Sequence, residues 1–266
     1  MRAAVALAML LTACAQPPAR GGGIVSVNPC ADAMLVRLVP PDRIAAISRY
    51  SHDPTATSIT LDVARRFRAT AGTAEEVVAM RPDLVLASSF TPPATRAAFA
   101  RAGLKALYLD SPTTIEASRA QLAEVAAAVG AQARGRAMVE EIDRAVASYA
   151  SAPPPDGDKP SALLFIAGSL ANGSGTLLDE LLTRAGFTNA AARYGLRYTG
   201  ALPAELIVSD PPDVILTPSF GGRVEAMRRQ LLPRTPVAAF PRELVNCGGP
   251  SIAPALARLA QIRRSL

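Results

Sequence analysis

The chain contains no tryptophan, one histidine, three cysteines and only two lysines among its 28 basic residues. A lone histidine, His52, excludes a zinc or manganese centre built from several imidazoles. It also leaves a serine hydrolase a single base, and no serine and carboxylate are spaced around it as a triad requires. Gly173-Ser174-Gly175 matches neither a Gly-x-Ser-x-Gly nucleophile elbow nor a phosphate-binding loop, which needs a lysine. No catalytic residue, metal or cofactor is therefore assigned, and a secreted hydrolase is the rival function from another class. The missing tryptophan removes one common wall residue from any ligand site. Arginine supplies nearly all the net charge of +6, together with abundant alanine, which reads as a compositional bias. These arginines are scattered through amphipathic segments and form no aromatic-interleaved patch, so the pattern speaks against nucleic acid. A positive surface still draws in an anionic ligand. Beyond the first fourteen residues no apolar run approaches the roughly 20 residues that span a bilayer.

What the chain does have begins with its first residues. Arg2 supplies a short positive region, and Ala3 to Leu11 form an apolar run of signal-peptide type. Leu11-Thr12-Ala13-Cys14 resembles the lipobox of bacterial lipoproteins. That resemblance implies a signal peptide over residues 1–13, lipidation of Cys14 and an extracytoplasmic, periplasmic protein held to a membrane by its lipid. The plainer reading is an ordinary cleaved signal with an incidental cysteine. Residues 14–23, rich in proline and glycine, read as a tether. Setting Cys14 aside leaves Cys30 and Cys247 in an oxidising compartment, either joined in a disulfide or present as two free thiols. The even count favours the bond.

Half the residues are hydrophobic and mean hydropathy is +0.22, enough for a substantial core. About 250 residues suit two lobes of about 120 each. Short apolar strands alternate with helices: strands at 24–27, 43–47, 84–87 and 106–109, helices at 31–38, 75–80, 95–102 and 114–129. This order predicts a parallel sheet covered on both faces. A longer helix over 132–150 has Met138, Ile142, Val146 and Tyr149 at helical spacing and the pair Glu140 and Arg144 on its other side. Three prolines at 153–155 then break the chain, and a buried strand restarts at Ala162. The expected division is an N-terminal lobe over 24–131, a connecting helix over 132–151 and a C-terminal lobe over 160–266. A repeat supports it: residues 74–86 match residues 204–216 at six of thirteen positions, at an offset of 130. Each copy is a short helix, a Pro-Asp break and an apolar strand, as expected if the lobes are versions of one unit.

Taken in order, these segments resemble the solute-binding proteins of ABC importers for iron-siderophores, haem and cobalamin. The resemblance covers the chain from Gly23 onward. It is carried by Ile24-Val25-Ser26-Val27-Asn28-Pro29, by Glu75 to Leu86, by Gly173 to Leu182 and by Cys247-Gly248-Gly249-Pro250. It implies an α/β fold with two lobes of mostly parallel sheet, joined by a single long helix, with a ligand cleft between them. It further implies a monomer that delivers a bulky metal chelate, a cobalamin-like corrinoid or a ferric siderophore, to an importer permease. Haem is the alternative ligand. The family docks to permease arginines through one exposed glutamate on each lobe, and Glu75 and Glu205 hold those positions here. Without the resemblance, both would be solvated glutamates favoured by a helix start.

Ligands of open α/β sheets bind outside the carboxyl ends of the strands. That rule points to Asn28, Cys30, Tyr50, His52, Ser89 and Phe90 in the first lobe. In the second it points to Ser169, Asn172, Phe220 and Cys247, and Tyr194 and Tyr198, in a glycine-containing loop, are candidates for additional aromatic walls. The aromatic residues suit a flat macrocycle or catecholate, and Arg49, Arg197 and Arg223 suit carboxylates. His52 is either an axial ligand to iron or cobalt or a hydrogen-bonding loop residue.

Overall fold

The computed structural model describes residues 22–150, 159–218, 223–245 and 247–266. The expected signal peptide, Cys14, most of the tether, the proline-rich break and Phe220 lie outside them. Among the described residues no helix is long and apolar enough to cross a membrane.

The first sheet is built from β1 (Ile24–Ser26), α1 (Pro29–Leu38), β2 (Ile44–Ser48), α2 (Leu61–Ala64), β3 (Ala69–Thr70), α3 (Ala74–Met80), β4 (Leu84–Ser88), α4 (Pro93–Arg101) and β5 (Ala106–Leu109). Its strands are all parallel, in the order β3-β2-β1-β4-β5. Local chemistry sets the helix starts. Asn28 Oδ1 accepts from the Cys30 amide at 2.9 Å, with Pro29 in the first turn where no amide is missed. Thr73 caps α3 through the Glu76 amide, and α3 ends at Arg81, left-handed at φ 47°, just before Pro82.

After α5 (Ile115–Ala128) and α6 (Gln132–Ala150), the second sheet is formed by β6 (Ser161–Ala167), β7 (Leu170–Asn172), α7 (Leu177–Arg184), β8 (Thr188–Asn189), α8 (Ala190–Arg193), β9 (Thr199–Ala201), α9 (Ala204–Ser209), β10 (Val214–Thr217), α10 (Arg223–Leu231) and β11 (Val237–Ala239). The chain closes with α11 (Ile252–Arg264). The strand order is β11-β10-β6-β7-β9, with β8 beside the start of β6. Here the structure departs from simple strand–helix alternation. Gly168-Ser169 make a two-residue connection, Gly168 at φ 51°, so β7 folds back antiparallel on β6.

The repeat has a structural meaning. Asp83 Oδ2 accepts from the Gly23 amide at 2.7 Å, and Asp213 Oδ2 accepts from the Ser161 amide at 2.6 Å. Each Pro-Asp break thus ties the entrance of one strand to the entrance of the neighbouring, first strand of its own sheet. The Ser161 amide and hydroxyl hold the Asp213 carboxyl below its ordinary range.

Alternate residues of the buried strands point into different layers, as a period of two requires. Val25, Val85 and Ala87 pack with Phe99 on one outer face, and Leu163, Phe165 and Ile215 with Ile207 on the other. Ile24, Leu86, Leu164 and Leu216 face a shared central layer with α1, α5, α6, α7 and α11. In it Met34, Leu122, Ile142 and Leu256 are almost wholly buried, each contributing roughly 1.5–3 kcal/mol. At 1.5 Å per residue the 19-residue α6 is about 28 Å long. Glu180 of α7 accepts from the Ile115 amide at 2.7 Å, so a second-lobe helix also caps a first-lobe one.

Candidate functional site

Strand order in the first sheet reverses at β1, which lies between β2 and β4. A crevice is therefore expected beyond the carboxyl ends of these strands. Three segments leave that edge: Asn28 to Cys30 after β1, Arg49 to His52 after β2, and Ser89 with Phe90 after β4. Two strand spacings of about 4.8 Å put the β2 and β4 exits roughly 10 Å apart.

The segment following β11 comes to the same place. Cys247 is bonded to Cys30, with Cα atoms 5.2 Å apart and a separation of 217 positions in the chain. Ser58 Oγ lies 2.9 Å from the Cys247 sulfur. The Gly249 amide donates to Ser118 Oγ at 2.6 Å, joining this loop to α5. A Cβ on Gly248 would stand 2.2 Å from the same oxygen, so only glycine permits the approach. Charge adds to the contact: the Asp53 carboxylate opposes the downward pull of burial on the Arg242 guanidinium. The disulfide ties the start of α1 to the segment that leads into α11.

Three large aromatic side chains stay exposed among the described residues: Tyr50 (47%), Phe90 (79%) and Tyr198 (58%). All three are sequence-derived ligand candidates. Each tyrosine also carries an arginine against its ring, Arg49 at 5.3 Å from the centroid and Arg197 at 5.6 Å. Tyr198 adopts φ 62°, a left-handed conformation that a bulky residue seldom takes. Hydrogen bonds hold it there: its amide donates to Ser174 O at 2.8 Å, and the Gly173 amide donates to its carbonyl at 2.6 Å. Ser169 is exposed on the hairpin turn, and Ser89 is half-buried with its carbonyl accepting from the Arg96 guanidinium.

Other candidates are occupied internally. Asn28 is committed to capping α1. Asn172 is buried and accepts from the Thr199 hydroxyl at 2.9 Å. Cys30 and Cys247 are engaged with each other. His52 Nε2 is shielded from solvent and makes no hydrogen bond among the described residues, so reaching a metal requires the 49–52 turn to shift. Glu75 and Glu205 stand exposed in the first turns of α3 and α9. Among the described residues no group of three or more His, Cys, Asp or Glu side chains is placed to hold a metal ion.

One residue of this region escapes sequence reasoning. Asp32, fully buried in α1, accepts from the Ser48 amide at 3.0 Å and the Ser51 hydroxyl at 2.6 Å. It thereby fixes the turn that presents Tyr50. Burial pushes its carboxyl up to about 7, against the opposing pull of Ser26, Ser51 and the Ser48 amide. The available signal was an acid set among Ala31, Ala33, Met34 and Leu35; a helix-start position disguised it.

Comparison with known proteins agrees with this architecture. A family model described as periplasmic binding protein matches residues 24–238. A cobalamin-binding protein of Halobacterium salinarum is 27% identical over 214 residues, covering 79% of this chain; the chain spans 57% of that relative's length. The periplasmic haem-binding protein HutB of Vibrio cholerae superposes with a TM-score of 0.74 at 16% identity, over 92% of this chain and 99% of its own. The periplasmic vitamin B12-binding protein BtuF of the same organism gives 0.68 at 17% identity, over 91% and 96%. At these identities the two structures speak for the fold. The chain belongs to the periplasmic binding protein family, extracytoplasmic proteins that bind solutes and are not enzymes.

Proposed function

We propose that this protein is the lipid-anchored receptor of an ABC importer, capturing a cobalamin-like corrinoid or a ferric siderophore between its lobes. The observation that carries the ligand class is the exposure of Tyr50, Phe90 and Tyr198. Aromatic rings left in water on turns beside the strands are poised to gain contact area when a large ring system enters. The cobalamin-binding relative supports the corrinoid. Cys14 carries the anchor, and Glu75 and Glu205, one on each lobe, meet arginines of the permease. Two carboxylates at a fixed separation register the protein on its partner and report how far the lobes stand apart. The lobes divide at 24–131 and 160–266, with α6 as the rod between them, and the protein works as a monomer.

A second reading, haem, is favoured by the two arginine–tyrosine pairs. A guanidinium beside a phenol suits a planar chelate with carboxylates at its edge, whereas corrinoid side chains are largely neutral amides. Direct titration separates these readings. Cyanocobalamin, a ferric catecholate and haemin are each added to the purified full chain and followed by visible absorption and tyrosine fluorescence, free of tryptophan background. The expected result is one ligand bound with Kd at or below about 1 μM, near −8 kcal/mol. Failure of all three to bind at tenfold higher concentration would sink the proposal.

A further inference from the structure

Phe90 is the most exposed large apolar side chain among the described residues, at 79%. A ring left in water has little packing to hold its direction, so its backbone must do so. Part of that hold is local. The Phe90 amide donates to Ser88 Oγ at 3.1 Å, and the Thr91 amide donates to Ser88 O at 2.9 Å. The Ser89 amide donates to Leu109 O at 2.9 Å, which carries the pairing of β4 with β5 one residue further.

The rest comes from Arg96 of α4. Its Nε donates to Thr91 O at 3.0 Å and its Nη2 donates to Ser89 O. One guanidinium therefore grips the carbonyls on either side of Phe90. The same group lies over the Tyr108 ring of β5, 4.2 Å from the centroid, which fixes its plane.

The place of Arg96 in its helix runs against local preference. It is the fourth residue of α4, and a cation there meets the positive end of the helix dipole. The first turn of α4 has no acid, and Pro92 supplies no side-chain cap. None of the ion pairs among the described residues involves Arg96. Neutralising a neighbour does not account for this arginine, whereas its donors converge on one turn. Departures from local preference concentrate where function requires them.

We propose that Arg96 is a positioning residue for ligand capture, holding the 89–91 turn so that Phe90 stands ready for the incoming ring system. This rests on the reading of Phe90 as a ligand contact. With the turn ordered beforehand, the entropy of ordering it does not weaken binding. Lysine keeps the charge but not the function, because an ammonium on a flexible stem has no planar fork to span two carbonyls.

The test compares the full parent chain with Arg96→Lys, Phe90→Ala and the two combined. Cyanocobalamin, haemin and a ferric catecholate are titrated into each. Phe90→Ala should weaken binding about tenfold and Arg96→Lys about as much, while the combination loses no more than Phe90→Ala, since Arg96 acts through that ring. Losses that multiply to about a hundredfold, or parental affinity in Arg96→Lys, overturn the proposal. A second readout needs no ligand: cleavage by chymotrypsin after Phe90, identified by fragment mass. Arg96→Lys should speed it about tenfold and leave cleavage after Tyr50 unchanged. Unchanged cleavage after Phe90 overturns the positioning role, and so does equal acceleration at both sites, which marks general loosening. A parent chain that binds none of the three probes, or Phe90→Ala binding like the parent, overturns the ligand reading and the proposal with it; the cleavage rates then report on the turn alone. Arg96→Gln provides both readouts where Arg96→Lys disturbs folding.

Discussion

Asp32 is a buried carboxyl with hydroxyl and amide partners, and its pH dependence has a definite sign. In the unfolded chain it ionises near its ordinary 3.8; in the fold it holds its proton to about 7. Between those values the folded state binds more protons, so this group's effect on stability becomes less favourable as pH rises. Below pH 4 both states are protonated and the group is neutral in effect; above 7 the full penalty of burying the charge applies. The shift corresponds to on the order of 4 kcal/mol. Urea unfolding between pH 4 and 8 should show this decline in the parent chain and lose most of it in Asp32→Asn, which keeps an oxygen for Ser48 and Ser51. A decline of the same size in the variant would contradict the assignment. At the ligand candidates the expected outcome concerns binding: Tyr50→Ala and Tyr198→Ala should each weaken the titrated ligand about tenfold, removing a ring contact together with its stacked guanidinium. Unfolding midpoints should hardly move, because both rings are exposed.

At the scale of elements, the fit of α5 against α6 decides how stiff the connection between the lobes is. Glycine inside a helix ordinarily costs about 1 kcal/mol relative to alanine, so Gly135→Ala ought to help α6. Here the added methyl would stand 2.4 Å from the Ala126 Cβ, and Leu38 lies just beyond. Forcing the helices apart should instead destabilise by about 1–3 kcal/mol. Chemical denaturation of Gly135→Ala, and of Gly135→Ala with Ala126→Gly, checks this. The double variant should recover most of the loss, because it returns the missing space to the opposite helix.

For the whole molecule, the bond between Cys30 and Cys247 shapes both stability and motion. It closes a loop nearly as long as the folded chain, and the chain-entropy model assigns such a loop about 5 kcal/mol. Reduction, or Cys30→Ser with Cys247→Ser, should therefore lower the unfolding midpoint markedly, read by circular dichroism with and without a thiol reductant. With Ser118, Ser58 and Arg242 clustered at the same edge, and the central helices packed as one layer, the lobes are joined at more than α6. Binding is then expected to adjust aromatic side chains and turns more than the angle between the lobes. Small-angle scattering with and without ligand should show near-identical radii of gyration.

Much of this was legible in residue order alone. Apolar triplets after Pro-Asp located β4 and β10, helical spacing located α6 to within a residue, and the repeat announced two similar halves. These signals are local, set by backbone dihedrals and by which face of an element avoids water. That Tyr50 and Phe90 lie on turns leaving β2 and β4 was legible for the same reason. What residue order did not reveal depends on neighbours remote in the chain. The internal hydrogen bonds of Asn28 and Asn172 appear only once their partners are in place, and Asp32 looks like an ordinary helix-start acid until burial raises its proton affinity. Gly168-Ser169 reversed β7 where simple alternation was expected. The joining of Cys30 to Cys247 was favoured by counting, but only the packing of α1, α5 and the final loop brings their Cα atoms within reach. Burial and long-range proximity are properties of the assembled fold, and the chemistry of this cleft is decided by them.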